Sequence, residues 1–83
     1  MYAGVPVSSV MSGSAAQAKG ILPGERIVQI GTDRTITSIQ ELQGVLEAIH
    51  NDGRDALLLV YRGDKRRFVA LDLKQDKFGG LRF

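Results

Sequence analysis

The chain has 83 residues, 43% hydrophobic and 24% charged, which suits one compact core and leaves no room for a second domain. Eleven Lys and Arg stand against nine Asp and Glu, and there is no cysteine. Disulfide staples, thiol nucleophiles and cysteine zinc sites are therefore excluded. The balanced charge also lacks the one-sided basic surface of a nucleic-acid binder.

Val5–Met11 is rich in β-branched residues and predicts a first strand. Pro6 cannot donate to a ladder, which places it at a strand start or edge. Ser12-Gly13-Ser14 is a turn, and Ser14 caps a short Ala-rich helix, Ala15–Lys19, closed by Gly20. After the Pro23-Gly24 turn, Glu25–Ile30 predicts a second strand, with Ile27, Val28 and Ile30 apolar. Gly31-Thr32-Asp33-Arg34 turns the chain, and Thr35–Thr37 adds a short pairing.

One long helix follows. Ser38, with Glu41 three residues later, forms a capping box, and Ile39, Leu42, Val45, Leu46 and Ile49 recur at helical spacing. Gly44 weakens this helix by about 1 kcal/mol relative to Ala; close backbone approach and chance both account for it. Asn51-Asp52-Gly53 ends the helix. Ala56–Arg62 is a strongly apolar strand, Gly63-Asp64-Lys65 a hairpin turn, and Arg67–Lys74 a further strand. In that last strand Phe68, either Ala70 or Val69, Leu71 and Leu73 supply the apolar side chains. The order β, short α, β, longer α, β, β predicts an α+β domain. Its expected form is a small, partly open antiparallel β-barrel or sandwich with two covering helices. The whole of 1–83 reads as one domain, with its core over about residues 4–74 and a tail over 75–83.

Catalytic chemistry is poorly supplied. His50, the single histidine, sits at the end of the long helix, where a solvent-facing position near the helix dipole is expected. No second histidine or cysteine joins it in a metal site, so metal and cofactors are expected to be absent. Asp52 and Asp55 flank Gly53 beside Arg54, which is turn chemistry, and Ser12 and Ser14 lack an adjacent base. The cluster Arg62, Lys65, Arg66, Arg67, interrupted by Asp64, reads as a solvated hairpin tip rather than a phosphate site. Every apolar run falls well short of the roughly 18 residues that span a membrane, and no signal peptide is recognisable. Met1-Tyr2-Ala3 reads as a truncated start, with any native targeting segment lost.

Three stretches, in order and at the right spacing, resemble a PDZ domain. They are Gly4-Val5-Pro6-Val7-Ser8-Ser9-Val10, Gly13-Ser14-Ala15-Ala16-Gln17-Ala18, and Gly20 through Ile30. The corresponding family pattern is G-V-x-V-x-x-V, G-S-P-A-A-x-A-G-L and G-D-x-I-x-x-V-N-G. Resemblance continues through Ile39–Leu46 and the closing hairpin, and covers about nine-tenths of the chain. Ala15 replaces the usual Pro, Glu25 replaces Asp, and Gly31-Thr32 stands where Asn-Gly is typical. The nearer likeness is to the second PDZ domain of HtrA/Deg-type periplasmic serine proteases, carried by Arg54–Asp64 and Arg67–Leu71.

The resemblance implies a non-catalytic module, separate from the protease triad, that recognises hydrophobic C-termini by strand addition in a periplasmic or envelope setting. The expected partners are C-terminal or extended peptides, with neither nucleic acid nor membrane insertion. The family's carboxylate-binding loop precedes the first strand seen here, whereas this chain carries Gly80-Leu81-Arg82-Phe83, similar to G-L-G-F, at its other end. A circularly permuted domain would use Gly79, Gly80, Leu81, Arg82 and Phe83 as that loop, with Leu42, Leu46 and Ile49 on the facing helix. Those three helix residues equally suit the core. Leu81-Arg82-Phe83 also has the form of a PDZ ligand that docks into a neighbouring copy, as an assembly module would. A frayed end or a cloning remnant is the remaining reading of the tail.

Overall fold

The computed structural model describes residues 4–32 and 34–83. The expected truncated start, Met1-Tyr2-Ala3, and the Asp33 position of the expected turn lie outside the described residues. In chain order the elements are β1 (Val5–Pro6), β2 (Ser9–Val10), α1 (Ala15–Ala18), β3 (Arg26–Ile30), β4 (Arg34–Thr35), α2 (Ile39–Asn51), β5 (Ala56–Arg62), β6 (Lys65–Leu71) and β7 (Leu81–Arg82). Among the described residues they form two open antiparallel sheets and no closed barrel. One sheet runs β1-β3-β5-β6 with β4 also on β3, and the other pairs β2 with β7. This is the expected α+β architecture.

The predicted first strand is two strands, divided between the sheets. Val5 pairs with Ile27 and Pro6 with Arg26, and the Val7 amide still reaches the Glu25 carbonyl at 2.8 Å. One residue later the Ser8 amide donates to the Arg82 carbonyl at 2.8 Å. Successive residues of an extended chain turn their backbone groups to opposite sides, so Val7 closes one ladder and Ser8 opens the next.

α1 starts where Ser14 predicts, its hydroxyl accepting from the Gln17 amide at 3.1 Å, while Gln17 Oε1 accepts from the Gly13 amide at 2.6 Å. In α2 the Ser38 hydroxyl accepts from the Glu41 amide at 3.1 Å, and the Glu41 carboxylate reaches back to the Thr37 amide at 3.2 Å. Those bonds satisfy amides that a helix start otherwise leaves unpaired. Leu42 and Leu46 of α2 are wholly buried against Val5, Ile27, Ile36, Leu58, Leu71 and Leu73. Each such leucine contributes about 1.5–3 kcal/mol by burial. β6 starts two residues before the expected Arg67–Lys74 strand and ends at Leu71, three residues short of it. It settles the phase left open by the sequence: Val69 and Leu71, and Leu73 beyond its end, enter the core, and Ala70 and Phe68 face out, Phe68 being 56% exposed. Nothing lies within 4 Å of a side chain built at Gly44, so no close approach explains that glycine.

Glu25 is the one buried charged residue among those described, at 1% exposure. Its Oε1 accepts from the Leu22 amide at 2.7 Å, and its Oε2 accepts from Arg67 Nη1 at 2.8 Å and Arg62 Nε at 3.1 Å. Burial pushes the Glu25 carboxyl up. The Arg67 hydrogen bonds, the Leu22 amide and the two guanidinium charges outweigh that push and hold it below its ordinary value. Arg67 also donates to the Gly20 carbonyl at 3.0 Å. The basic cluster is thus not simply a solvated hairpin tip: two of its four cations bolt the β5–β6 hairpin to the start of β3.

Candidate functional site

The tail is built into the fold. Leu81 is wholly buried, with Phe78 and Phe83 packed against the same core. In β7, Arg82 pairs with Ser9 and Leu81 with Val10 of the same chain. The Met11 amide donates to the Gly80 carbonyl and the Ala16 amide to the Gly79 carbonyl, both at 2.9 Å. The second of these bonds satisfies an amide in the first turn of α1, so the tail loop caps that helix.

Two glycines make this docking possible. Gly79 and Gly80 have φ of +62° and +92°, a region that side chains disfavour. A Cβ at Gly80 would lie 2.1 Å from the Ser14 Cβ, and one at Gly79 would lie 2.6 Å from the Leu71 side chain. Glycine is required twice over, by dihedral and by contact.

One edge of β7 faces β2. The Gly80 and Arg82 carbonyls both accept bonds from that side. By alternation, the Leu81 carbonyl and the Phe83 N–H point the other way. On that side lies a depression of about 290 Å³ lined by Gln43 of α2 together with Asp76, Lys77, Phe78, Leu81, Arg82 and Phe83. The Phe78 and Phe83 rings meet edge-on with centroids 5.9 Å apart. Lys77 Nζ sits 5.2 Å from the Phe78 ring centroid and 3.1 Å from Glu47 Oε2, tying the loop to α2.

The loop amides have internal acceptors. Asp76 Oδ2 takes the Gly80 amide at 2.9 Å and Oδ1 takes the Phe78 amide at 3.3 Å. The Gly79 amide goes to the Asp76 carbonyl and the Leu81 amide to the Phe78 carbonyl. Arg82 Nη1 lies 3.3 Å from Asp76 Oδ2. Burial pushes Asp76 up, but the Phe78 and Gly80 amides and Arg82 together hold its carboxyl below its ordinary value.

Of the helix residues named from sequence, Leu42 and Leu46 are wholly buried in the core. Ile49 is half-buried and lines a different, shallow depression with Val45, Ala48 and Arg54. Gln43 was not singled out, although it lies four residues after Ile39 and three before Leu46, on the stripe adjoining the core. His50 does not simply face solvent: its Nδ1 is 2.6 Å from the Leu73 carbonyl, joining the last turn of α2 to the chain after β6. Among the described residues, no three His, Cys, Asp or Glu gather as a metal site, and no helix is long and apolar enough to cross a membrane.

A strand edge beside a helix, with a glycine loop at its end, on two open antiparallel sheets defines a small protein-interaction module. The chain belongs to the PDZ domain family, whose model matches residues 1–73. It is similar to proteins named as probable periplasmic serine endoproteases, DegP-like. The one from Chlamydia trachomatis is 37% identical over 68 residues, 82% of this chain and 13% of that protein. Its counterpart in Chlamydia muridarum is 38% identical over the same shares. The chain therefore spans only 13% of the length of these curated relatives. Among solved structures, it is similar to the PDZ domain of an SdrC-like protein from Listeria monocytogenes. That match has a TM-score of 0.75 and 27% identity, and it covers 98% of this chain and 83% of the other.

Proposed function

We propose that this domain binds extended peptide segments, hydrophobic C-termini among them, as an added strand between β7 and α2. Supporting it is one observation above all: the outward edge of β7 borders a depression lined by Gln43 of α2 with Phe78, Leu81 and Phe83. Strand alternation turns the Phe83 N–H and the Leu81 carbonyl, which also accepts from Arg82 Nη1 at 2.8 Å, to that side. Main-chain bonds to such an edge supply affinity, and pockets beside it select side chains. In this reading Gly79, Gly80, Leu81, Arg82 and Phe83 form the receiving loop and strand. Gln43 and the 39%-exposed Ile39 form the helix wall, and Leu42 and Leu46 hold up its floor. The likeness to DegP-like periplasmic proteases supports a recruiting role for such an enzyme in the cell envelope, with cleavage done by another domain.

The test is titration with short peptides ending in Val, Leu or Phe, read by calorimetry and amide NMR. We expect affinities of about micromolar, or roughly −8 kcal/mol. Shift changes should concentrate at Ile39, Gln43 and residues 78–83. Saturable binding with its shift changes on β5 and β6 instead would sink the groove.

A further inference from the structure

The geometry points to Asp76 as a specificity-determining residue: it is a resident carboxylate on the loop amides that a peptide's chain end would need, so the groove takes extended segments with little preference for a free C-terminus. This inference rests on the groove reading above and names the ligand class for it.

A glycine-turn nest attracts an anion because successive N–H groups converge on one point. Here that anion is already supplied by the chain. Asp76 Oδ2 accepts from Gly80 and Oδ1 from Phe78, with Arg82 Nη1 beside Oδ2. The amides between and after them are taken by backbone carbonyls, Gly79 by Asp76 and Leu81 by Phe78. Four consecutive amides, 78 to 81, thus have internal acceptors. A second carboxylate at this point would compete for the same N–H groups and face a like charge. Asp76 is ionised at neutral pH, as an ordinary aspartate is, and its amide and Arg82 partners lower its pKa further.

What the loop leaves for a ligand lies one step along the strand. On the outer edge of β7 the Phe83 N–H is a donor, and the Leu81 carbonyl, which accepts from Arg82 Nη1 at 2.8 Å, keeps a second lone pair as acceptor. A passing strand can use both without ending there. The half-buried Phe78 and Phe83 rings beside them offer apolar contact. The ligand class is therefore an extended segment with an apolar side chain, internal or terminal.

The experiment compares each peptide as free acid and as C-terminal amide, on the wild-type chain and on Asp76→Ala. In wild type the two forms should bind within about threefold of each other. Asp76→Ala releases the Gly80 amide, and the free acid should then lead by about tenfold, the size of one charge-assisted hydrogen bond. If Asp76→Ala fails to fold by circular dichroism, Asp76→Asn keeps an acceptor and drops the charge. It should raise the free-acid preference above wild type. A wild-type preference of about tenfold for the free acid, unchanged in the variants, overturns the inference and leaves the groove standing. Failure of both peptide forms to bind every folded protein overturns the groove reading and this one with it.

Discussion

The β5–β6 hairpin and the β2–β7 pair are held in opposite ways. β5 and β6 run side by side through seven matched positions, from Ala56 opposite Leu71 to Arg62 opposite Lys65, closed by the two residues Gly63 and Asp64. Leu58, Val60, Val69 and Leu71 sink into the core from that hairpin, and Glu25 bolts its tip to β3. β2 and β7 match at only two positions, and the chain between Ser8 and Arg82 spans nearly the whole domain. Ordering that long loop costs entropy that two ladder positions do little to offset. The pair is held instead by close fit: Leu81 in the core, Gly80 against Ser14, and the Gly79 carbonyl on α1. The strand forming the candidate site thus depends on a few close contacts rather than on a long ladder.

The sharpest way to break that contrast is Gly80→Ala. A left-handed φ and a Cβ against Ser14 together should cost about 3 kcal/mol of tail docking. Hydrogen exchange should show the Ser8 and Met11 amides losing protection while Leu58–Val60 keep theirs; uniform loss would mean that the two regions unfold as one. Next is Glu25→Ala, expected to lower stability by about 2 kcal/mol. It strands the Leu22 amide and takes the shared carboxylate from Arg62 and Arg67, although Arg67 keeps the Gly20 carbonyl and both arginines reach solvent and are partly screened. The fall should appear as a lower urea midpoint.

The pH dependence follows from the same residue. Glu25 titrates lower when folded than when unfolded, so its contribution is complete above about pH 4.5 and is lost as pH falls through the folded value. Asp76 adds a contribution of the same sign at the tail. Glu25→Gln should flatten the acid limb of stability measured on β5 and β6, whereas Asp76→Asn should flatten it only for the Ser8 and Met11 amides. The smallest effect is Gly44→Ala, which meets nothing within 4 Å. It should raise stability by about 1 kcal/mol, seen as a higher Tm, and leave peptide affinity unchanged.

Much of the architecture was legible because its signals are local. Ser14 and Ser38 cap the helices they were expected to cap, and Ala56–Arg62 is the strand its strongly apolar run predicts. Gly63-Asp64 turns the hairpin because a φ of +61° suits Gly63. The failures were of register and partnership. A seven-residue run from Val5 to Met11 reads as one strand because nothing in it says that Ser8 turns toward a segment more than seventy residues away. Leu42, Leu46 and Ile49 share a helical stripe, yet only packing places the first two in the core and leaves Gln43 at the depression.

Membership of the PDZ family came from the resemblance of the chain's motifs and the family match. Composition, caps, glycines and apolar spacing determined by themselves that this is a small α+β domain with a glycine-containing tail. Those features act over a few residues, where backbone sterics and side-chain capping decide the outcome. The tertiary structure alone decided that Glu25 gathers Arg62 and Arg67, that β7 pairs with β2, and that Asp76 sits on the loop amides. The first two join residues far apart in sequence. The third lies within five residues, but several acceptors there compete for the same amides, and only the folded loop selects one.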